Sequence, residues 1–317
     1  MVRLKTEDAS SHNGMAARGA CIMVIFLVVW MGTAGCVVNE PTPKDSSKVQ
    51  PLTIAVTILP QKQFVERIGG ENVRVIVLVP PGASPHTHEP TPGQMAEVST
   101  AALYFKVGSG IEFERAWMDK ISGVNPGMPI IDSSEGVVLI QGGDEEHAAE
   151  GAPEQDQVGL DPHIWLSPRN AKVMVEHTFE GLVSIDPGNE TQYRANKEQY
   201  LKELDALNAD ISKALSEKVE RRIMVYHPAW TYLARDYNLT QIPVELEGKE
   251  PTPKGLESLI RQAKESNITV VFASPEFSTK SAEVVAKEID GKVVLVSSLS
   301  EDYLENMRKV ATAFAQD

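Results

Sequence analysis

Three histidines lie in widely separated segments that are rich in proline. Each of His86, His163 and His227 has a proline as an immediate neighbour. A proline restricts the local backbone and therefore the direction of the neighbouring imidazole. Neutral imidazole is the commonest protein ligand for zinc, and three imidazoles from distant segments leave one coordination position open. A single histidine is more often a surface or hydrogen-bonded residue, so the metal-site hypothesis depends on the three together.

Two other histidines are weaker candidates. His88 is two residues after His86, so on an extended segment its side chain would point the opposite way. His177 lies in a predicted helix, where we expect a solvated or packed role. Both cysteines, Cys21 and Cys36, precede the predicted folded body. The body therefore has neither thiolate ligands nor disulfides, and its stability must come from an ordinary core.

Strands and helices alternate in the segments that must position these histidines. The pattern begins as strand, helix, strand, which favours a parallel sheet. The predicted strands are Leu52–Ile58, Val73–Val79, Ala102–Val107 and Pro129–Ile131, and the predicted helices are Pro60–Ile68, Gln94–Thr100 and Phe113–Ile121. Ligands of open α/β sheets gather beyond the carboxyl ends of the strands. We therefore expect the three histidines at strand ends, in a crevice between lobes.

The same alternation returns in the carboxyl-terminal third of the chain. The predicted strands there are Ile223–Tyr226, Thr269–Ala273 and Lys292–Val296, and the predicted helices are Trp230–Tyr237, Leu256–Ser266 and Ser281–Ile289. We predict an α/β fold of two α/β lobes with mainly parallel sheets, an N-terminal lobe over 51–168 and a C-terminal lobe over 222–317.

One long helix is predicted within the linking region, 169–221. Apolar residues recur there at the spacing of one helical face, from Asn189 to about Val219. These residues are Tyr193, Tyr200, Leu204, Leu207, Ile211 and Leu215. At about 1.5 Å per residue the helix would span roughly 45 Å. We expect it to act as a stiff spine that joins the two lobes and limits hinge closure.

The amino terminus has the pattern of a secretory signal. The uncharged apolar run 20–34 is shorter than the roughly 20 residues of a bilayer-spanning helix, and small residues precede Cys36. The pattern resembles a lipobox, which predicts a signal peptide over 1–35, lipidation of Cys36 and a flexible tether over 36–50. We expect an extracytoplasmic protein anchored to the outer face of the cytoplasmic membrane. An uncleaved anchor is the alternative, and Met1 and Met15 are both possible starts.

Composition narrows the classes of partner. The chain has 317 residues, of which 42% are hydrophobic, enough for two globular domains. Lys and Arg total 30 against 44 Asp and Glu, a net charge of −14. Such a chain is repelled by a phosphate backbone, so nucleic-acid binding is not expected, whereas a cationic ligand is compatible with the charge.

Five motifs carry a family resemblance. They are GASPHTHEP at 82–90, DPHIWLSP at 161–168, YHPAWTY at 226–232, EPTPKG at 250–255 and SEDYLENM at 300–307. Over residues 51–317 the sequence resembles the zinc- and manganese-binding solute-binding proteins of ABC importers. The resemblance implies a long helix between two α/β lobes, metal binding by His86, His163 and His227, delivery of the metal to an ABC permease, and a monomer.

The family pattern is broken at two positions. The aspartate that usually completes the site after the last strand is replaced by Ser297, and a glutamate common in the family is replaced by Ser274. Water, Glu276, Ser297 or a residue of an acidic loop are the candidate fourth ligands. That loop, residues 141–159, resembles the metal-attracting loop of zinc members, here with His147, Glu145 and Glu146. A merely solvated acidic loop is the alternative.

The ligand set favours zinc over manganese. Manganese-selective members commonly carry a carboxylate where His227 stands, and three imidazoles suit the borderline zinc ion better. We expect a binding protein that captures Zn²⁺ extracellularly, with Mn²⁺ as a less favoured ligand. The alternatives are a zinc hydrolase or hydratase, since three histidines and a water also form catalytic zinc sites, and a manganese-specific protein or adhesin.

Overall fold

The computed structural model describes residues 50–142, 159–245, 249–277 and 279–316. The predicted signal peptide, Cys36 and the tether up to residue 49 lie outside these ranges. The same holds for His147, Glu145 and Glu146 of the acidic loop. In the described part of the chain, no helix combines the length and the apolar character needed to cross a membrane.

Two sheets of four parallel strands form the framework of the fold. The first contains β1 (Leu52–Val56), β2 (Val73–Val77), β3 (Leu103–Lys106) and β4 (Ile130–Asp132), in the order β2-β1-β3-β4. The second contains β5 (Arg222–Val225), β6 (Thr240–Pro243), β7 (Val270–Ala273) and β8 (Lys292–Leu295), in the order β6-β5-β7-β8. The predicted α/β class with parallel sheets is confirmed, and both sheets have the same strand order.

Nine α-helices are seen in the described residues. They are α1 (Leu59–Gly69), α2 (Pro92–Val98), α3 (Glu112–Val124), α4 (Pro168–Ile185), α5 (Glu190–Ser216), α6 (Thr231–Tyr237), α7 (Pro253–Glu265), α8 (Lys280–Glu288) and α9 (Tyr303–Ala315). Three of them, α2, α4 and α7, begin with a proline that follows a capping hydroxyl residue, Thr91, Ser167 or Thr252. Each hydroxyl accepts a hydrogen bond from a first-turn N–H, and the proline has no N–H to satisfy there.

The long helix is α5, and its buried face is the predicted one. Its buried side chains are Tyr193, Tyr200, Leu204, Leu207, Ile211 and Leu215. They belong to one core cluster that includes Phe105 of the first sheet and Phe272 of the second. The linking region also contains α4, joined to α5 by a short turn at Pro187–Asn189. The lobe boundaries given above stay a prediction.

Candidate metal centre

The three histidines singled out in the sequence come together in space. One potential ligand nitrogen from each of His86, His163 and His227 lies within 4.8 Å of the others. The distances between the centroids of the imidazole rings are 5.4 Å for His86 and His163, 4.8 Å for His86 and His227, and 5.0 Å for His163 and His227. In the described ranges this is the one group of three or more metal-ligating side chains so arranged.

The prediction that each histidine ends a strand is correct for His227 alone. It follows β5, and the backbone beside it is fixed because the Tyr226 N–H donates to Phe272 O at 2.7 Å. His86 lies well beyond β2 in a proline-rich turn, and His163 follows an isolated bridge between Gln141 and Leu160. Prolines in these two segments lack the N–H groups that a sheet ladder needs, so turns position both rings.

A buried or half-buried network holds the His163 segment from several sides. The Trp165 Nε1–H donates to Ser298 O at 2.7 Å, and the Tyr232 hydroxyl donates to Asp161 O at 2.8 Å. The Ser109 hydroxyl donates to the Pro162 carbonyl. Since Trp165 and Asp161 each lie two residues from His163, these bonds restrict the backbone on both sides of the imidazole.

Each of the three imidazoles has a carboxylate at its Nδ1 atom. His163 Nδ1 lies 2.8 Å from Asp161 Oδ1, and His86 Nδ1 lies 2.6 Å from Glu112 Oε2. The third pair joins His227 Nδ1 to a buried glutamate, Glu245 Oε1, at 3.3 Å. Sequence reasoning missed all three carboxylates. Asp161 could have been found from the sequence, because it lies two residues before His163 in the DPH motif. The two glutamates could not, because they come from other segments.

These carboxylates assign the protonation of the rings. A carboxylate accepts the Nδ1–H of a neutral imidazole, which leaves Nε2 with a free lone pair, the form that ligates metals. Nε2 of His163 and Nε2 of His227 face each other at 3.2 Å, and Nε2 of His86 is buried without a hydrogen-bond partner. Two nitrogens at about 2.0–2.1 Å from a tetrahedral Zn²⁺ would be about 3.3–3.4 Å apart. The observed separation therefore suits a shared tetrahedral ion.

The electrostatics of the site agree with this protonation. Burial lowers the pKa of His227 to about 4, with the neighbouring His163 and His86 acting in the same direction and Glu245 opposing them. Burial alone would raise the pKa of Asp161, yet the His163 imidazole beside it brings the net pKa below its usual value. The pKa of Glu112 is likewise lowered against its burial by the hydrogen bond to His86. A neutral His227 can offer a nitrogen lone pair to a cation.

The two candidate fourth ligands, Glu276 and Ser297, are hydrogen-bonded to each other. The Ser297 hydroxyl donates to Glu276 Oε1 at 2.7 Å, and the Ser274 hydroxyl donates to Glu276 Oε2. Glu276 is absent from the group of converging ligand atoms. Among the carboxylates of the described residues, none therefore joins the three histidines as a fourth member.

Two further histidines of the described residues, His88 and His177, have other surroundings. The segment around His88 is a turn rather than the extended strand considered above, since the His88 N–H donates to Ser84 O at 2.9 Å. Its ring stacks on Phe113 at 6.1 Å and stays outside the group of three. His177 Nε2 lies 2.9 Å from Glu135 O, so of the solvated and packed roles considered for it, the structure shows a hydrogen bond to the backbone.

Comparison with known families gives a match over most of the chain. The model of the family described as ZnuA, zinc-uptake complex component A, periplasmic, matches residues 54–317. The high-affinity zinc uptake system protein ZnuA of Bacillus subtilis is 28% identical over 294 residues, which covers 90% of this chain and 88% of the relative.

Solved structures resemble this fold closely. A crystal structure of a zinc-bound ZnuA deletion mutant is 42% identical and has a TM-score of 0.77. The match covers 84% of this chain and 97% of that one. The SBP FpvC from Pseudomonas aeruginosa in complex with Mn²⁺ is 27% identical with a TM-score of 0.70, at 84% coverage of this chain and 97% of that one. Relatives of the same architecture have therefore been seen with either metal.

Proposed function

Because the chain belongs to the ZnuA family of periplasmic zinc-uptake components, we propose that it captures one Zn²⁺ with His86, His163 and His227 and delivers it to the permease of an ABC importer. The observation that carries the proposal is the convergence of three imidazoles whose Nδ1 atoms are all held by carboxylates. Such pairs orient a ring and raise its basicity as a ligand. The metal is the cargo of this site.

Zinc fits the donor set better than manganese does. In the part of the chain that the structure describes, three nitrogen ligands converge without a carboxylate as a fourth member. Such a set suits a borderline ion in a tetrahedral site, whereas Mn²⁺ prefers oxygen donors and a higher coordination number. Glu276 is engaged by two serines, so we propose that a water molecule fills the fourth position. A bound water is also simple to displace when the ion is handed on.

The proposed location follows from the family and from the amino-terminal pattern. The family is periplasmic, and we propose that lipidation at Cys36 anchors this chain to the membrane that contains its permease. We propose that the acidic stretch 141–159, which directly precedes the His163 motif in the sequence, raises the local concentration of cations. We propose that the protein acts as a monomer, as the family resemblance implies.

A competition titration tests the proposal. The metal-stripped body, residues 51–317, is titrated with Zn²⁺ in the presence of a chromophoric chelator and excess Mn²⁺ at pH 7. We expect one tightly held Zn²⁺ per chain. Alanine at any of His86, His163 or His227 should weaken binding far more than alanine at His88 or His147. Equal losses at all five positions would contradict the ligand assignment.

We also propose that the zinc-bound protein is not an enzyme. Three histidines and a water can form a catalytic zinc site. The zinc-loaded wild type is therefore compared with a variant that lacks one of the three histidines. Esterase and hydratase activities of the zinc-loaded protein should equal those of His163→Ala. Clear excess turnover by the wild type would favour an enzyme instead.

A further inference from the structure

The ring of Phe277 lies against two of the three histidines. Its centroid is 4.4 Å from that of His227, with the rings stacked at 26°, and 6.0 Å from that of His86 at 38°. The His86 and His227 rings are themselves 4.8 Å apart. A single phenyl ring therefore borders both imidazoles, and it is a carbon surface with no donor or acceptor for a metal or its waters.

The local backbone and the core keep this ring in place. The Phe277 N–H donates to Ser274 O at 3.1 Å, which closes the turn that follows β7. The half-buried ring packs against a core cluster of the second sheet that includes Val271, Ala273 and Val285. Since the turn and the cluster both restrain it, the ring forms a fixed wall beside the histidines.

The polar neighbour of Phe277 has another partner. Glu276 accepts hydrogen bonds from the hydroxyls of Ser274 and Ser297. Both oxygens of the Glu276 carboxylate therefore already have a hydrogen-bond donor, although Glu276 is the residue next to Phe277 in the sequence. The turn thus presents an aromatic face, rather than an oxygen donor, to His86 and His227.

An apolar wall acts unequally on different cations. Zn²⁺ is satisfied by four ligands in a tetrahedral arrangement, whereas Mn²⁺ is typical of octahedral, oxygen-rich sites. With three nitrogen ligands, Mn²⁺ would need additional waters to reach six ligands. Water held against carbon lacks hydrogen-bond partners, which is costly. The hydrophobic shell around a metal site controls solvent access in this way.

We propose that Phe277 is a specificity-determining residue that disfavours hydrated, higher-coordinate ions beside His86 and His227 and so raises the preference for Zn²⁺ over Mn²⁺. The inference deepens the proposed function and rests on it. Phe277 does not ligate the metal. It acts by the space and the water that its ring excludes.

The test compares two substitutions of Phe277 in the intact, metal-stripped protein. Phe277→Ala removes the wall, and we expect the ratio of Zn²⁺ to Mn²⁺ affinity to fall by about tenfold or more. Phe277→Leu keeps an apolar side chain and should retain most of that ratio. Leu259→Ala is the matched control, because Leu259 packs half-buried against the same cluster and has no ring contact with a histidine.

A spectroscopic readout accompanies the affinities. Co²⁺ replaces Zn²⁺ as the probe, because its visible bands are intense in tetrahedral sites and weak in octahedral ones. We expect strong bands in the wild type, Phe277→Leu and Leu259→Ala, and weaker bands in Phe277→Ala, as added water raises the coordination number.

Three results would overturn the inference or its premise. An unchanged affinity ratio and Co²⁺ spectrum in Phe277→Ala would refute the role of the wall. Equal loss of both metals in Phe277→Ala, with the tetrahedral spectrum kept, would mean that the ring only orients His227. If His163→Ala bound Zn²⁺ as tightly as the wild type, the proposed function itself would fail, and this inference with it.

Discussion

Asp161→Asn is the substitution that best separates metal ligation from the orientation of a ligand. Asp161 Oδ1 accepts hydrogen bonds from both the Nδ1–H and the backbone N–H of His163, each at 2.8 Å. The residue is only 4% exposed, so water cannot substitute for the carboxylate. The amide keeps the volume but loses the charge, and its NH₂ group can force the other imidazole tautomer, which places the proton on Nε2.

The expected effect is a loss of zinc affinity without unfolding. Removing a carboxylate that holds a metal-binding histidine typically costs 10–100-fold in affinity, about 1.4–2.7 kcal/mol. The assay is chelator competition at pH 7 together with the thermal midpoint of the metal-free protein. The matched control is Asp186→Asn, which removes the negative charge from the acceptor of the Tyr193 hydroxyl and Asn189 in the turn before α5. Asp161→Asn with wild-type affinity and an unchanged midpoint would refute the reasoning.

Three further predictions concern the framework around the site. Glu114→Gln should destabilise the fold by about 1–3 kcal/mol at pH 7, because the two carboxylate oxygens accept from two buried backbone N–H groups after β3 and the amide has only one oxygen, so one N–H loses its acceptor. Burial raises the pKa of Glu114 above 4.5, so the native state binds its proton more tightly than the unfolded chain. The wild-type free energy of unfolding in urea should therefore exceed that of Glu114→Gln by a growing amount as the pH falls from 7 towards 4.5. A difference that shrinks over this range would contradict the reasoning. Trp165→Phe leaves the buried Ser298 carbonyl without its donor and should cost about 1–3 kcal/mol in urea unfolding. The same variant should bind zinc more weakly in chelator competition, and unchanged affinity would mean that the bond does not position His163. Leu207→Ala in the buried face of α5 should cost about 2–5 kcal/mol of stability, seen as a lower urea midpoint, while zinc affinity at low urea stays unchanged.

The long helix and the parallel sheets were predictable because their signals are local and periodic. The apolar face of α5 could be read from the spacing of Tyr193 to Leu215, and the structure buries the same residues. The short strand β6 was missed, since its four residues, Thr240–Pro243, include only one buried apolar side chain. Helix α9 was also missed, although Leu304, Met307 and Ala311 follow a helical spacing. Only its first residues had been considered, as part of the motif at 300–307.

The site was predictable in its ligands but not in their supports. His86, His163 and His227 are distinctive by residue type and by their prolines. Their partners are not, because Glu112 is 26 residues from His86 and Glu245 is 18 residues from His227 along the chain. Contacts of this kind depend on how helices and loops pack, which no local pattern in one sequence encodes.

X-ray absorption at the zinc edge of the protein loaded with one equivalent of Zn²⁺ tests the three-histidine site most directly. We expect three imidazole nitrogens at about 2.0–2.1 Å and one further light-atom ligand. His163→Ala should show one imidazole fewer or no tight zinc. A zinc environment with no more than one imidazole in the wild type, or one that does not change in His163→Ala, would contradict the assignment of His86, His163 and His227 as the metal-binding site.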